Sequence, residues 1–208
     1  MTDAPLRAIA LNASLKSKAG GESSSTDRMI GLIAGCLARR GVRLVETIRL
    51  VDHDVKPGVT SDQGEGDAWP ALRRRILAAD ILVFGTPIWL GQMSSAAKRA
   101  LERMDAFLGE TDDCGRMPSF GRVAVAAIVG NEDGAHAVTA DLFQALNDVG
   151  WTIPAGGACY WVGEAMRKTD FRDLDEVPEP VRRTAEMLAA NAAHLARLLK
   201  AQPYEGIG

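Results

Sequence analysis

Cysteine is scarce in this 208-residue chain. Cys36, Cys114 and Cys159 are odd in number and far apart, which suits neither a disulfide framework nor a zinc or iron–sulfur cluster, so no metal site is expected and the three are read as reduced, buried thiols. An excess of positive charge is missing too. The formal net charge is −3, with Lys and Arg spread along the chain, and this argues against a nucleic-acid partner. No apolar run approaches the length of a membrane span, and Met1 to Pro5 holds neither a charged leader region nor a long apolar stretch, so a cytoplasmic protein without a membrane partner is expected. Internal repeats are absent, as are the G-x-G-x-x-G and G-x-x-x-x-G-K-[ST] fingerprints, which disfavours a tightly bound dinucleotide or a P-loop triphosphate.

What is present is an alternation of strands and helices that fits one domain over residues 1–208. Leu6 to Leu11, Ile81 to Phe84 and Val123 to Val129 are nearly unbroken apolar runs, as expected of central parallel strands covered on both faces. Val42 to Leu50 alternates Val42, Leu44, Ile48 and Leu50 with Arg43, Thr47 and Arg49 and reads as an edge strand with one side in water. A last strand is expected within Trp151 to Val162. Helical spacing links Met29, Ile33 and Leu37, then Leu72 and Ile76, then Ala97, Leu101 and Met104, then Val138, Leu142 and Leu146, and finally Val181 through Leu199. Five strands alternating with five helices specify an α/β, doubly wound, five-stranded parallel sheet of order 2-1-3-4-5 with helices on both faces. Ligands then bind at the carboxyl ends of strands one, three and four. The acidic stretch Asp52 to Asp67 is expected to be a surface loop.

Each of those three loops has unusual chemistry. The first, Asn12 to Thr26, is rich in hydroxyls and opens a helix, so Ser14, Lys16, Ser24, Ser25 and Thr26 are candidate ligands of a monophosphate beside free helix N–H groups. The alternative is a flexible loop with an ordinary Ser or Thr cap. The second runs Pro87-Ile88-Trp89-Leu90-Gly91, where the proline limits the backbone and the next residues offer apolar and aromatic faces to a planar heterocycle. The alternative is a tryptophan that covers the sheet end. The third, Gly130-Asn131-Glu132-Asp133-Gly134, opens the fourth helix, and its N–H groups can reach the polar edge of the same ring. Glu132 and Asp133 suit helix capping better than catalysis. No catalytic side chain is assigned, and His53, His136 and His194 read as surface residues.

Ser14-Leu15-Lys16 with Ser25-Thr26, then Pro87-Ile88-Trp89 through Lys98, then Gly130 through Ala135 together carry a resemblance over residues 6 to 163. The chain resembles the NAD(P)H-dependent FMN reductase family of flavodoxin-like proteins. The resemblance implies that the first loop holds the FMN phosphate, the second flanks the isoalloxazine and the third contacts its pyrimidine side. It implies further an FMN-dependent oxidoreductase taking electrons from NAD(P)H to a small acceptor: a quinone, an azo or nitro compound, or free flavin. Relatives with an iron–sulfur cluster carry closely spaced cysteines before strand four, where this chain has Cys114 alone. The alternatives are a flavodoxin-like electron carrier without efficient nicotinamide oxidation and a flavin-free domain that keeps only the fold. A homodimer or higher homo-oligomer is expected, with Met104, Phe107 and Leu108 at its face, and the segment Gly163 to Pro180 is expected to lie over the pocket mouth.

Overall fold

A computed structural model describes residues 5–21, 23–164 and 167–207. Its strands are β1 (Leu6–Asn12), β2 (Val42–Arg49), β3 (Ile81–Trp89), β4 (Gln92–Met93), β5 (Val123–Gly130) and β6 (Ala158–Val162). The helices are α1 (Ser25–Ala38), α2 (Trp69–Leu77), α3 (Ser95–Met104), α4 (Ala135–Asp148) and α5 (Glu179–Ala201). β2-β1-β3-β5-β6 form a parallel sheet, and the two-residue β4 pairs antiparallel with the end of β3. With β4 set aside, this is the flavodoxin-like order expected, and β4 is the one strand too short to show in an apolar pattern. None of the described helices is long and apolar enough to cross a membrane.

Residues of the central strands point alternately to two apolar layers. Ile9, Leu11, Leu82, Phe84 and Ile128 pack on α2, α3 and α4, whereas Ala8, Ala10, Val83, Val125 and Ala127 pack on α1 and α5. Burial on both faces is why these strands read as continuous apolar runs. The edge strand β2 departs from its expected alternation. Its register with β1 shifts after Ala8↔Leu44 to Ile9↔Glu46, which leaves Val45 as an extra residue. That bulge sends Val42 to one layer and Ile48 and Leu50 to the other, although their even spacing predicts a single face.

Three further expectations are corrected. The stretch 52–67 is a loop, but Asp67 at its end is fully buried against Arg103. Met104 and Phe107 are core residues, so of the three assigned to a dimer face only Leu108 is exposed. Cys36 and Cys159 are buried as expected, whereas Cys114 is only half-buried. Burial pushes the Cys159 thiol up to about 12, which keeps it protonated at neutral pH.

Candidate functional site

The carboxyl ends of β1, β3 and β5 open into one cleft. The first loop begins at Asn12, whose side chain is fully buried. Its Oδ1 accepts from Ser14 N at 2.8 Å, and its Nδ2 donates to Asp27 Oδ1 at 2.6 Å and to Ser24 Oγ at 3.3 Å. Ser24 caps α1 in a reciprocal box: its Oγ accepts from Asp27 N at 3.0 Å, and Asp27 Oδ2 accepts from Ser24 N at 2.9 Å. Arg49, nearly buried at the end of β2, pairs with Asp27 and donates through Nη1 to Lys16 O at 2.9 Å. Burial pushes the Asp27 carboxyl up, but hydrogen bonds from Ser24 and the Arg49 guanidinium outweigh it and leave Asp27 below the ordinary carboxylate value.

The cleft is lined by all five residues expected around a phosphate: Ser14, Lys16, Ser24, Ser25 and Thr26. Ser24 differs from the rest. A hydroxyl has one proton, and Ser24 Oγ gives it to Asp27 Oδ2 at 3.0 Å, so its side chain has no donor left for a ligand. Ser14 Oγ accepts from Lys16 N at 3.2 Å, and Ser25 Oγ accepts from Arg172 N at 3.2 Å. Under the start of α1, Gly85 of β3 lets the helix approach, since a Cβ there would lie 2.7 Å from Ile30 Cδ1 and 2.8 Å from Thr26 Cγ2.

The second loop is largely strand. Pro87 pairs in register with Val129, and Ile88 and Trp89 pair with Met93 and Gln92, so the expected Pro87–Gly91 loop shrinks to a two-residue turn at Leu90 and Gly91, both with positive φ. Proline is tolerated in β3 for a geometric reason. Ala13 N donates to Gly85 O at 2.8 Å, so two residues later Pro87 turns its donorless nitrogen to the same side, beyond the end of β1. Pro87, Ile88 and Trp89 line the cleft, and Leu90 and Gly91 do not. Trp89 is 54% exposed and Leu90 92%, which leaves an apolar rim at the mouth.

Of the third loop, Gly130, Asn131 and Glu132 line the cleft, whereas Asp133 and Gly134 lie outside it. The acids serve backbone: Glu132 Oε1 accepts from Leu90 N at 2.8 Å and Asp133 Oδ1 from Gly134 N at 2.7 Å. Gly134, with φ of 127°, packs so tightly on the hairpin that a Cβ would sit 2.8 Å from Gly91 Cα. The two walls are therefore tied together. His136 is exposed, with Nε2 3.0 Å from Tyr160 Oη. Sequence reasoning missed Leu15, Val129, Trp161, Asp170 and Phe171, which complete the lining. An aromatic at the end of the last strand and a lone Phe in a charged stretch were the available signals. Asp170 and Phe171 belong to the segment 163–180 expected over the mouth, of which 165 and 166 lie outside the described residues.

A family model, NADPH-dependent FMN reductase, matches residues 6–166. The chain is 38% identical over 203 residues to the Mycobacterium bovis protein named divalent metal cation transporter MntH, covering 94% of this chain but only 29% of that protein. It is 30% identical over 209 residues to the 8-demethyl-8-aminoriboflavin-5'-phosphate synthase of Streptomyces davaonensis, covering 96% of this chain and 80% of that one. Among solved structures, RosB with bound 8-demethyl-8-formylriboflavin-5'-phosphate is similar with a TM-score of 0.83 at 29% identity, over 96% of this chain and 82% of that chain. An apo NADH:FMN oxidoreductase shares the fold, with a TM-score of 0.63 at 18% identity over 97% and 95%.

Proposed function

We propose that this chain, which belongs to the NADPH-dependent FMN reductase family, holds FMN with the phosphate in the loop before α1 and the ring between Trp89 and Asn131, and passes electrons from NAD(P)H to a small acceptor such as a quinone, an azo or nitro compound, or free flavin. It is a flavin-dependent oxidoreductase, and FMN is its cofactor. One observation carries the placement: a single cavity runs from Ser14, Ser25 and Thr26 to Ile88, Trp89 and Trp161. Hydroxyls stand at one end and apolar, aromatic surface at the other, which is the chemistry of a phosphate joined to a flat ring. The N–H groups of Ser25 and Thr26, in the first turn of α1, have no intrahelical acceptor, and the positive helix end favours a dianion.

FMN supplies the hydride chemistry when bound. The chain's part is to orient two flat rings face to face and keep water from between them. Glu132 and Asp133, bonded to backbone N–H groups, hold the hairpin and the start of α4 rather than move protons. The test is an anaerobic absorbance spectrum of protein loaded with FMN, washed and mixed with NADH or NADPH. Rapid bleaching supports the reductase and identifies its donor. Flavin that stays oxidised points to an electron carrier, and no retained flavin removes the reading.

A second reading has specific support. The Streptomyces relative is named for making an aminated flavin phosphate, and the RosB structure holds a formylated one. In that reading the flavin in the cleft is a substrate, altered at its 8-position. Mass spectrometry of the flavin released after incubation separates the two, since a reductase returns FMN unchanged. For assembly, the exposed Leu15, Trp89 and Leu90 at the mouth support a homodimer, which light scattering tests by mass.

A further inference from the structure

The cleft has a wall that the family match does not reach. The match stops at residue 166, whereas Asp170 and Phe171 line the cavity beside Trp161. They begin a short strap, residues 170–174, that includes the turn Phe171–Asp173. Phe171 is fully buried, with its ring centroid 5.5 Å from that of Trp161.

One side chain fastens this strap. Arg28 of α1 turns its Nη1 toward three carbonyl oxygens, Phe171 O at 2.9 Å, Arg172 O at 3.0 Å and Leu174 O at 2.6 Å, with its guanidinium 5.4 Å from the centre of the Phe171 ring. Arg28 stands two residues after Thr26, so the fastening and the candidate phosphate site share the first turns of one helix. Three more hydrogen bonds tie the strap down. Arg172 donates from N to Ser25 Oγ at 3.2 Å and from Nη1 to Ser23 O at 2.9 Å, and Asp170 Oδ1 accepts from Asn131 Nδ2 at 3.2 Å. Because Ser25 Oγ accepts from the strap, its proton is turned elsewhere and is available to a phosphate oxygen. The strap thus joins the phosphate end of the cleft to the ring end.

We propose that residues 170–174 clamp flavin in the cleft and that Arg28 is the positioning residue that latches them. The inference rests on FMN occupying the cleft. Release of the flavin requires this wall to move, and the wall moves only when the Arg28 contacts break. The latch therefore acts on dissociation more than on association.

The test compares the full-length protein with Arg28→Met and Arg28→Lys. FMN dissociation is followed by recovery of flavin fluorescence on dilution, and cleavage by trypsin after Lys168 and Arg172 is followed with and without FMN. Charge-assisted hydrogen bonds are the strong ones, so Arg28→Met is expected to release FMN about tenfold faster or more, with Arg28→Lys between it and the wild type. In the wild type, FMN is expected to slow cleavage after Arg172. Equal dissociation rates in wild type and Arg28→Met overturn the clamp, as does wild-type cleavage that FMN leaves unchanged. The proteolysis arm stands without any variant, so an Arg28→Met protein that fails to fold does not shelter the idea. A wild type that never retains FMN overturns the reading of the cleft, and is recognised before either rate is measured.

Discussion

Two of the carboxylate–guanidinium pairs, Asp67–Arg103 and Asp27–Arg49, serve different ends. Asp67 and Arg103 both have fully buried side chains. Arg103 donates to Asp67 through Nη1 at 3.0 Å and Nη2 at 2.6 Å, and to Lys56 O and Thr60 O at 2.9 and 2.8 Å. Asp67 also accepts from the backbone of Gln63 and Trp69 at 2.9 and 3.1 Å. The bonds of this pair close the loop 56–67 and touch nothing in the cleft. Asp27 and Arg49 form the same kind of pair, but Asp27 keeps a quarter of its side chain exposed. Further bonds of the two go to Asn12, Ser24 and the Lys16 carbonyl, the frame of the candidate phosphate loop. A sealed pair staples a fold, whereas a pair at the lip of a cleft shapes a site.

The same substitution at each arginine separates the two. Arg103→Met leaves Asp67 charged and unpaired in the interior, and removing one partner of a buried pair costs about 3–5 kcal/mol. Urea midpoints should show that loss, with FMN affinity of the folded fraction unchanged. A fall in affinity would mean that the 56–67 loop reaches the site. Arg49→Met should cost less stability, about 1–3 kcal/mol, but it removes a cation and leaves the Asp27 charge near the candidate phosphate site. FMN affinity, measured by fluorescence titration, should fall about tenfold or more. Affinity equal to wild type would place the phosphate elsewhere.

Acid sharpens the contrast. Burial pushes the Asp67 carboxyl up, but hydrogen bonds from Arg103, Gln63, Trp69 and Lys56 more than reverse it and hold Asp67 well below the ordinary range. An unfolded Asp takes its proton near pH ~3.9. The folded group resists protonation, so its contribution is complete above that pH and is lost as the pH falls toward its folded value, by about 1.4 kcal/mol per pH unit. Asp27 has the same sign and, being partly exposed, a smaller slope. Urea midpoints from pH 6 to pH 3 should therefore fall less steeply in Asp67→Asn than in wild type. Parallel curves would show that the pair does not govern acid stability.

The sheet order and the three site loops were legible because both rest on local signals: apolar runs for strands buried on two faces, and hydroxyl, Pro-aromatic and Gly-Asn segments just after them. What escaped depends on partners distant in sequence. The Val45 bulge is a mismatch between β1 and β2, and an even spacing of apolar residues hides it. Pro87 reads as the end of a strand, yet it stays in β3 because β1 has already ended beside it. Ser24 looks equal to Ser25 until Asp27 and Asn12 are seen to use its hydroxyl. Asp170 and Phe171 are held at the cleft by Arg28, Ser25 and Asn131, all distant in sequence, which no local pattern encodes.

Trp89 gives the smallest effect expected on the fold and a sharp one on the site. Trp69 and Trp151 are buried to within 1%, and truncating either would open a cavity in the core. Trp89 is half exposed on a hairpin that Glu132 fastens through the backbone of Leu90, so Trp89→Ala removes little buried surface and breaks none of those ties. Its stability should change by no more than about 0.5 kcal/mol. A flat ring packed on the indole would lose about 0.5–1.5 kcal/mol of stacking, so FMN affinity or turnover should fall severalfold. Thermal melts and FMN titrations of one preparation decide it: a large loss of stability with normal affinity would make Trp89 a cover for the sheet end, like the two buried tryptophans, and would take the ring away from this wall of the cleft.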